Sequence, residues 1–279
     1  MTTKRLHLIA LLLAFALGCS AQWQADSMEV CRLLAAAPDT AGTLYFARQL
    51  KGRPYVAHTL EVNDTEQLVV NLRQLDCTTL VENATALALC VQHGHRTFAA
   101  FRHWLTQLRY CQGRLDGYPS RLHYFTDWIN DNVQMNIVTL VEGPSFKGVQ
   151  TVKVDYMSKH PSLYKALDAH PEFVPIIARR EHLLTGQKHR YLPKSEVRDT
   201  PQLRRLIHDG DIIAITCTKA GLDIAHVGIA VWHRDGLHML HASSVKKQVI
   251  EDPVPLSRYL ADHPSFTGIR LVRVPQNSK

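Results

Sequence analysis

The amino-acid sequence predicts an α+β fold: helices from the first half packed on one face of an antiparallel sheet from the last third. Three observations predict it. Between residues 41 and 110 apolar positions recur at helical spacing, whereas from Asp211 onward short runs rich in Val and Ile are separated by turn residues. Helices come first and strands later, with no strand–helix alternation of the kind that builds a parallel sheet.

The chain opens on Lys4 and Arg5, an uncharged apolar run from Leu8 to Leu17, and the small residues Gly18, Cys19, Ser20 and Ala21. That order is the signature of a secretory leader, so residues 1–21 are read as a signal peptide and the protein as exported. A run of about ten apolar residues is half of what a membrane-spanning helix needs. Leu17-Gly18-Cys19 is similar to the end of a lipoprotein signal, which makes Cys19 a candidate acylation site; cleavage after Ala21 is the alternative.

The first helix is expected over Ala41 to Leu50, where Gly52-Arg53-Pro54-Tyr55 follows as a breaker. The second starts at Asp76 and carries Leu80, Ala84, Leu87, Ala88 and Val91 on one stripe before closing at Gly94. The third runs from Thr97 to Tyr110 with Phe98, Phe101, Leu105 and Leu108 on its apolar side. From 113 to 199 prolines punctuate the chain, and only Ile137 to Val141 and Val149 to Val154 read as strands. This segment is expected to elaborate a single unit spanning residues 22–279. Asp211 to Cys217, Val227 to Trp232, Leu237 to Ala242 and Ile269 to Val274 then read as sheet strands.

The 279 residues carry a formal charge of +7, which falls to +5 once Lys4 and Arg5 leave with the leader. The basic residues are scattered among acids, so no nucleic-acid groove is expected. Beyond Cys19 five cysteines remain, an odd set for an oxidising compartment, and at least one thiol must be unpaired. No C-x-x-C pair exists, and neither a metal nor an organic cofactor is expected.

Cys77 is the thiol that chemistry singles out. It opens the second helix directly after Asp76, where the helix dipole and free N–H groups favour a thiolate and can receive an oxyanion. Cys90, inside the same helix, reads as packing. A nucleophilic thiol needs a base, and His226, opening the strand Ala225-His226-Val227-Gly228-Ile229, is the candidate. His93 and His95, spaced as metal ligands can be, read as exposed residues beyond a helix end.

Gly52-Arg53-Pro54-Tyr55, Leu75-Asp76-Cys77-Thr78-Thr79, Asp209-Gly210-Asp211-Ile212, Ala225-His226-Val227-Gly228-Ile229 and Leu240-His241-Ala242-Ser243 occur in that order. Together they resemble the landmarks of the NlpC-type papain-like cell-wall hydrolases. Thr78-Thr79, Glu82 and the segment Arg121 to Trp128 resemble the N-acetylmuramoyl-L-alanine amidase-like branch. The resemblance implies a papain-like core, with Cys77 as nucleophile, His226 as general base and His241 as the residue orienting that base. It implies hydrolysis of the bond between N-acetylmuramic acid and L-alanine in peptidoglycan or muropeptides. A γ-D-glutamyl-L-diamino acid endopeptidase and a catalytically silent peptidoglycan-binding module are the alternatives. A monomer in the periplasm, tethered through Cys19 where that residue is lipidated, is the expected form.

Strand register bears on the third catalytic position. If His233 to Gly236 form the hairpin loop, Trp232 faces Leu237 and His241 falls opposite Gly228, on the face of His226; a loop one residue shorter puts His238 there instead. Tyr124, Asp127 and Trp128 are candidate substrate contacts, because aromatic faces suit sugar rings and a carboxylate suits hydroxyls or an amine.

Overall fold

The computed structural model describes residues 23–275, so the leader and Cys19 lie outside the described residues. A helix over residues 23–36, α1, precedes α2 (Thr43–Gln49), α3 (Cys77–Gln92), α4 (Phe98–Arg109) and α5 (Phe125–Gln134). The middle of the chain holds β1 (Thr139–Val141), β2 (Gly148–Thr151), α6 (Tyr156–Lys159), α7 (Lys165–Ala169), α8 (Val174–Leu184), β3 (Lys188–Pro193) and α9 (Pro201–Leu206). Then come β4 (Ile212–Cys217), β5 (Ile224–His233), β6 (Gly236–Ser243), β7 (Gln248–Glu251), α10 (Leu256–Ala261) and β8 (Phe266–Arg273). No helix among the described residues is long and apolar enough to cross a membrane.

All eight strands join one antiparallel sheet in the order β2-β3-β8-β4-β5-β6-β7, with β1 also on β8. The sheet is therefore larger than the last third of the chain. Its centre is β4, whose Ile212 to Thr216 are buried on both faces, as a non-alternating apolar run requires. Ile212, Ala214, Val227, Ile229 and Leu240 face the core built with α1 to α5. Ile213, Ile215, Ala230 and Met239 face a second core closed by Leu203 of α9 and by Leu256 and Leu260 of α10. Helices thus cover both faces, where one was expected, because a central strand apolar on both sides must be sheltered on both.

Helix α3 is the axis of the larger core. Every residue from Thr79 to Val91 is buried, so the stripe visible in the sequence understates a helix enclosed all round by α2, α4 and β5. Cys90 is fully buried within it, and all five described cysteines are unpaired. Its one buried charge and one of its amides find partners inside the protein. Glu82 accepts from Arg109 Nε at 2.8 Å with both side chains almost fully buried, and Arg109 Nη1 also reaches the Val69 carbonyl at 2.7 Å. Asn83 Nδ2 donates to the Thr79 carbonyl at 2.7 Å.

The Gly52-Arg53-Pro54-Tyr55 segment sets where α3 begins. Gly52 has φ +80, a conformation that favours glycine. From that turn, Gly52 N–H donates to the Val249 carbonyl, Tyr55 N–H to the Lys247 carbonyl, and Val249 N–H to the Arg53 carbonyl, so the segment covers the outer edge of β7. On its other side Leu75 N–H donates to the Pro54 carbonyl and Val56 N–H to the Leu75 carbonyl. The residue two places before Cys77 is thereby stitched to the sheet. Asp211 has a comparable task at the opposite end, accepting two bonds of 2.6 Å from Arg273 and tying β4 to β8.

Removing one member of a buried ion pair leaves the other charge uncompensated. Glu82→Ala is expected to cost about 3–5 kcal/mol of folding stability, and Glu82→Ala with Arg109→Leu to recover a substantial part of it, measured by denaturant unfolding.

Candidate active site

Cys77 is the first residue of α3 and Asp76 is its N-cap. The cap is reciprocal. Thr79 N–H donates to Asp76 Oδ1 at 2.8 Å while Asp76 N–H donates to Thr79 Oγ1 at 2.9 Å, so the second threonine of Asp-Cys-Thr-Thr serves the helix end. The backbone N–H groups of Thr78 and Val227 and the Thr78 hydroxyl face the sulfur and favour its ionised form. Enclosure opposes them, and with the Asp76 carboxylate it pushes the thiol up to about 11. The helix end alone predicts a thiolate; in the folded protein enclosure and the Asp76 charge outweigh it.

The sheet opens beside this sulfur. The β5–β6 ladder ends at Ile229↔Leu240, while β5 stays paired with β4 as far as Ile224, so His226 and Val227 lie where the two strands part. Trp232 pairs with Leu237 and His233 with Gly236, which continues the register so that His241 falls across from Gly228. Gly228 is required there: a Cβ would meet Met239 Cγ at 2.5 Å and the Leu240 carbonyl at 2.9 Å.

His226 and His241 consequently meet, Nε2 to Nδ1 at 2.6 Å, and His241 Nε2 lies 3.2 Å from Asp252 Oδ2. The proton positions follow from the far end inward. An ionised carboxylate only accepts, so His241 carries its proton on Nε2 and presents a bare Nδ1; His226 must donate from Nε2, which leaves its own Nδ1 as an unprotonated base. Burial pushes His226 down to about 3 and lowers His241 too, with Asp252 partly opposing the latter shift. Both imidazoles are therefore neutral at rest, beside a thiol.

Asp252 is the residue that reading the sequence missed. Its backbone N–H donates to the Met239 carbonyl at 2.9 Å, its Oδ1 accepts from Val254 N–H at 2.9 Å, and its carbonyl accepts from His238 Nδ1 at 2.8 Å. The available signal was strand pairing: β7 pairs with β6 from Ser243↔Gln248 to Leu240↔Glu251, and the next residue lands beside His241. His238 points away from His226 and is held by Asp252 and Asp235.

Cys77, Thr78, His226 and Val227 line a cavity of about 460 Å³. Its other walls come from the mid-chain segment, through His123, Tyr124 and Tyr164, and from the loop Leu222 to Ala225. The segment from 113 to 199 thus shapes the site. That loop is anchored by Asp223, whose Oδ2 accepts from Thr126 N–H at 2.6 Å. His123 Nε2 donates to the Tyr118 carbonyl at 3.0 Å.

The three candidate substrate contacts separate. Tyr124 lines the cavity with its ring, while its hydroxyl donates to Glu181 Oε1 at 2.7 Å. Asp127 is held by Arg180 at 2.6 Å and does not line the cavity. Trp128 is fully buried, stacked on Phe125 at 4.8 Å, and its place is the core, because an indole on the inner stripe of α5 packs between helices. Among the described residues, His233, Asp235 and His238 bring metal-ligating atoms within 4.8 Å of one another, away from the cavity. The His233 and His238 rings stack with an interplanar angle of 20°, so their in-plane lone pairs do not converge on one ion.

A cysteine at the start of a buried helix, lining one cavity with a sheet histidine that a second histidine and a carboxylate back, defines an α+β protein with a candidate thiol–imidazole site. A profile of the AmiA-like, N-acetylmuramoyl-L-alanine amidase-like family matches residues 45–269, and the chain belongs to that family. An N-acetylmuramoyl-L-alanine amidase from Bacteroides uniformis is similar in structure, with 41% identity and a TM-score of 0.79 over 85% of this chain and 99% of its own. A Bacteroides fragilis protein bearing a provisional xylanase label shares 43% identity with a TM-score of 0.76, over 81% of this chain and 98% of its own. A Legionella pneumophila protein of the DUF1460 family has the same fold at 20% identity and a TM-score of 0.71, covering 92% of this chain and 97% of its own. No curated protein is detectably similar to the chain.

The relay yields two expectations. His241→Ala and Asp252→Ala should each lower turnover roughly a thousandfold by releasing the direction and tautomer of His226, and His238→Ala by about tenfold or less; steady-state rates on a muropeptide check this. Because Cys77 is held as a thiol, its alkylation by iodoacetamide should rise about tenfold per pH unit from pH 6 to 9. A rate already level from pH 5 would instead reveal a preformed ion pair.

Proposed function

We propose that the protein is an exported cysteine amidase that hydrolyses the bond between the lactyl group of N-acetylmuramic acid and L-alanine in peptidoglycan or muropeptides. The observation that carries this reading is the Asp252–His241–His226 chain, which leaves His226 Nδ1 with a free lone pair on a residue that lines the same cavity as Cys77. Family membership favours this bond, since the Bacteroides uniformis relative bears the name N-acetylmuramoyl-L-alanine amidase.

The reaction follows papain-like logic. The Cys77 proton passes to His226 Nδ1 as sulfur attacks the lactyl carbonyl, because the resting thiol and neutral imidazole make a standing ion pair unfavourable. The oxyanion forms at the start of α3, where backbone N–H groups converge. Collapse expels the amine of L-alanine, which takes the proton from His226, and leaves a lactyl thioester on Cys77. Water, deprotonated by His226, then attacks the thioester to release the free lactyl acid and restore the thiol. No metal or organic cofactor enters these steps.

A glycosidase, as the label on the Bacteroides fragilis relative would have it, needs two carboxyl groups flanking the scissile bond. The carboxylates of this cavity, Glu61 and Asp223, are engaged by Arg121 and by the Thr126 N–H. The leader-like residues 1–21 support the exported part of the proposal, a periplasmic enzyme that is tethered where Cys19 is lipidated.

Mass spectrometry of products from N-acetylmuramyl-tripeptide tests the bond. Free N-acetylmuramic acid plus the intact peptide is expected, with no product from Cys77→Ala. Release of N-acetylmuramyl-L-alanyl-D-glutamate would instead assign the endopeptidase activity, and binding without any product would assign a silent module.

A further inference from the structure

A second cavity, of about 390 Å³, lies at the far end of α3 from Cys77. It touches Gln92, fifteen residues after Cys77 on the same helix, so at about 1.5 Å per residue the two sites are roughly 22 Å apart. Three helix segments frame it: the end of α3, the outer side of α4, and the turn that closes α5. That turn is made by Asn136 at φ +58, where Asn136 N–H donates to the Val133 carbonyl and Ile137 N–H to the Asn132 carbonyl.

The lining has a distinct chemistry. Trp104 is its aromatic platform, partly exposed, with the His93 ring tilted by 32° against it at a centroid distance of 4.6 Å. Around it stand three carboxamides, Gln92, Gln107 and Asn136. Gln92 and Gln107 direct their N–H groups to the carbonyls of Pro275 and Gly113, which leaves their oxygens as acceptors. Among the described residues, no Asp, Glu, Lys or Arg lines the cavity.

Each absence and presence narrows the ligand. The described lining holds two imidazoles, His93 and His103, but no fixed charge to pair with the carboxylates or ammonium groups of a peptide, and an apolar ligand would strip water from three carboxamides without replacing their hydrogen bonds. A neutral molecule with one apolar face and a polar edge satisfies both requirements. A pyranose ring is such a molecule, its C–H face on the indole and its hydroxyls, or an acetamido N–H, on the amide oxygens. The geometry points to a second, non-catalytic binding site on this protein for a neutral N-acetylhexosamine saccharide, built by Trp104 with Gln92, Gln107 and Asn136. It goes beyond the proposed amidase activity and does not depend on which bond is cut.

The probe is N,N′,N″-triacetylchitotriose, which contains no peptide bond for the catalytic cavity to cut. Isothermal titration should show binding to the wild-type protein, weakened about tenfold or more in Trp104→Ala. Trp104 also packs against the core, so a readout on the unaltered chain is needed. In protein labelled with 5-fluorotryptophan, four ¹⁹F resonances arise from the four tryptophans. The saccharide should move that of Trp104, assigned with Trp104→Phe, and leave that of buried Trp128 in place. No tryptophan lines the catalytic cavity. Binding that leaves the Trp104 resonance unmoved would put the sugar there and overturn the proposal, as would no heat of binding up to millimolar saccharide.

Discussion

The site depends on one directional constraint, that a carboxylate accepts hydrogen bonds and cannot donate them. From Asp252 this fixes the proton of His241, then that of His226, and so decides which His226 nitrogen is left bare. Two histidines alone could adopt either tautomer in either order. Asp252 removes that freedom, and its own orientation is set by Val254 and by the backbone bond to Met239. Everything else in the fold delivers Cys77 to the end of that chain.

Delivery is a matter of joining two separately built parts. The cysteine belongs to a helix whose surroundings are other helices, and the histidines belong to adjacent strands. The Gly52–Tyr55 segment bridges them, bonded to β7 on one side and to Leu75 on the other. The parting of β5 and β6 beyond Ile229 then opens the gap into which the start of α3 fits, with Val227 N–H turned to the sulfur. Gly228 lies close against Met239 and Leu240 of β6, which explains a glycine in the middle of a buried strand.

The motifs that mark the family divide by task under this view. Asp76 and the second threonine after it cap α3, Asp211 locks β4 to β8 through Arg273, and Glu82 neutralises buried Arg109. These residues hold the scaffold. Cys77 and His226 line the cavity, His241 backs His226, and the mid-chain elaboration closes the walls. The same division accounts for the second cavity, since α3 is a rigid rod whose two ends present unlike surfaces.

The sequence by itself determined the α+β class, the main helices and strands, and the position of Cys77 at a helix start, and it narrowed the partner of His226 to His241 or His238, between which the observed strand register decides. Each rests on information local to the chain: periodicity, a capping residue, a hairpin length. What only the tertiary structure decided is long-range. The three mid-chain strands join the sheet by pairing with distant β8 or with one another, and helices from the end of the chain cover its second face. Trp128 goes to the core and Tyr124 to the cavity wall although both lie on one short segment of aromatic residues. The thiol's ionisation reverses the local expectation, because a helix end acts over one turn whereas desolvation depends on every element packed around the sulfur. Asp252 was hidden for the same reason: a carboxylate after an edge strand carries no local mark of function, and only the register of three paired strands sets it against His241.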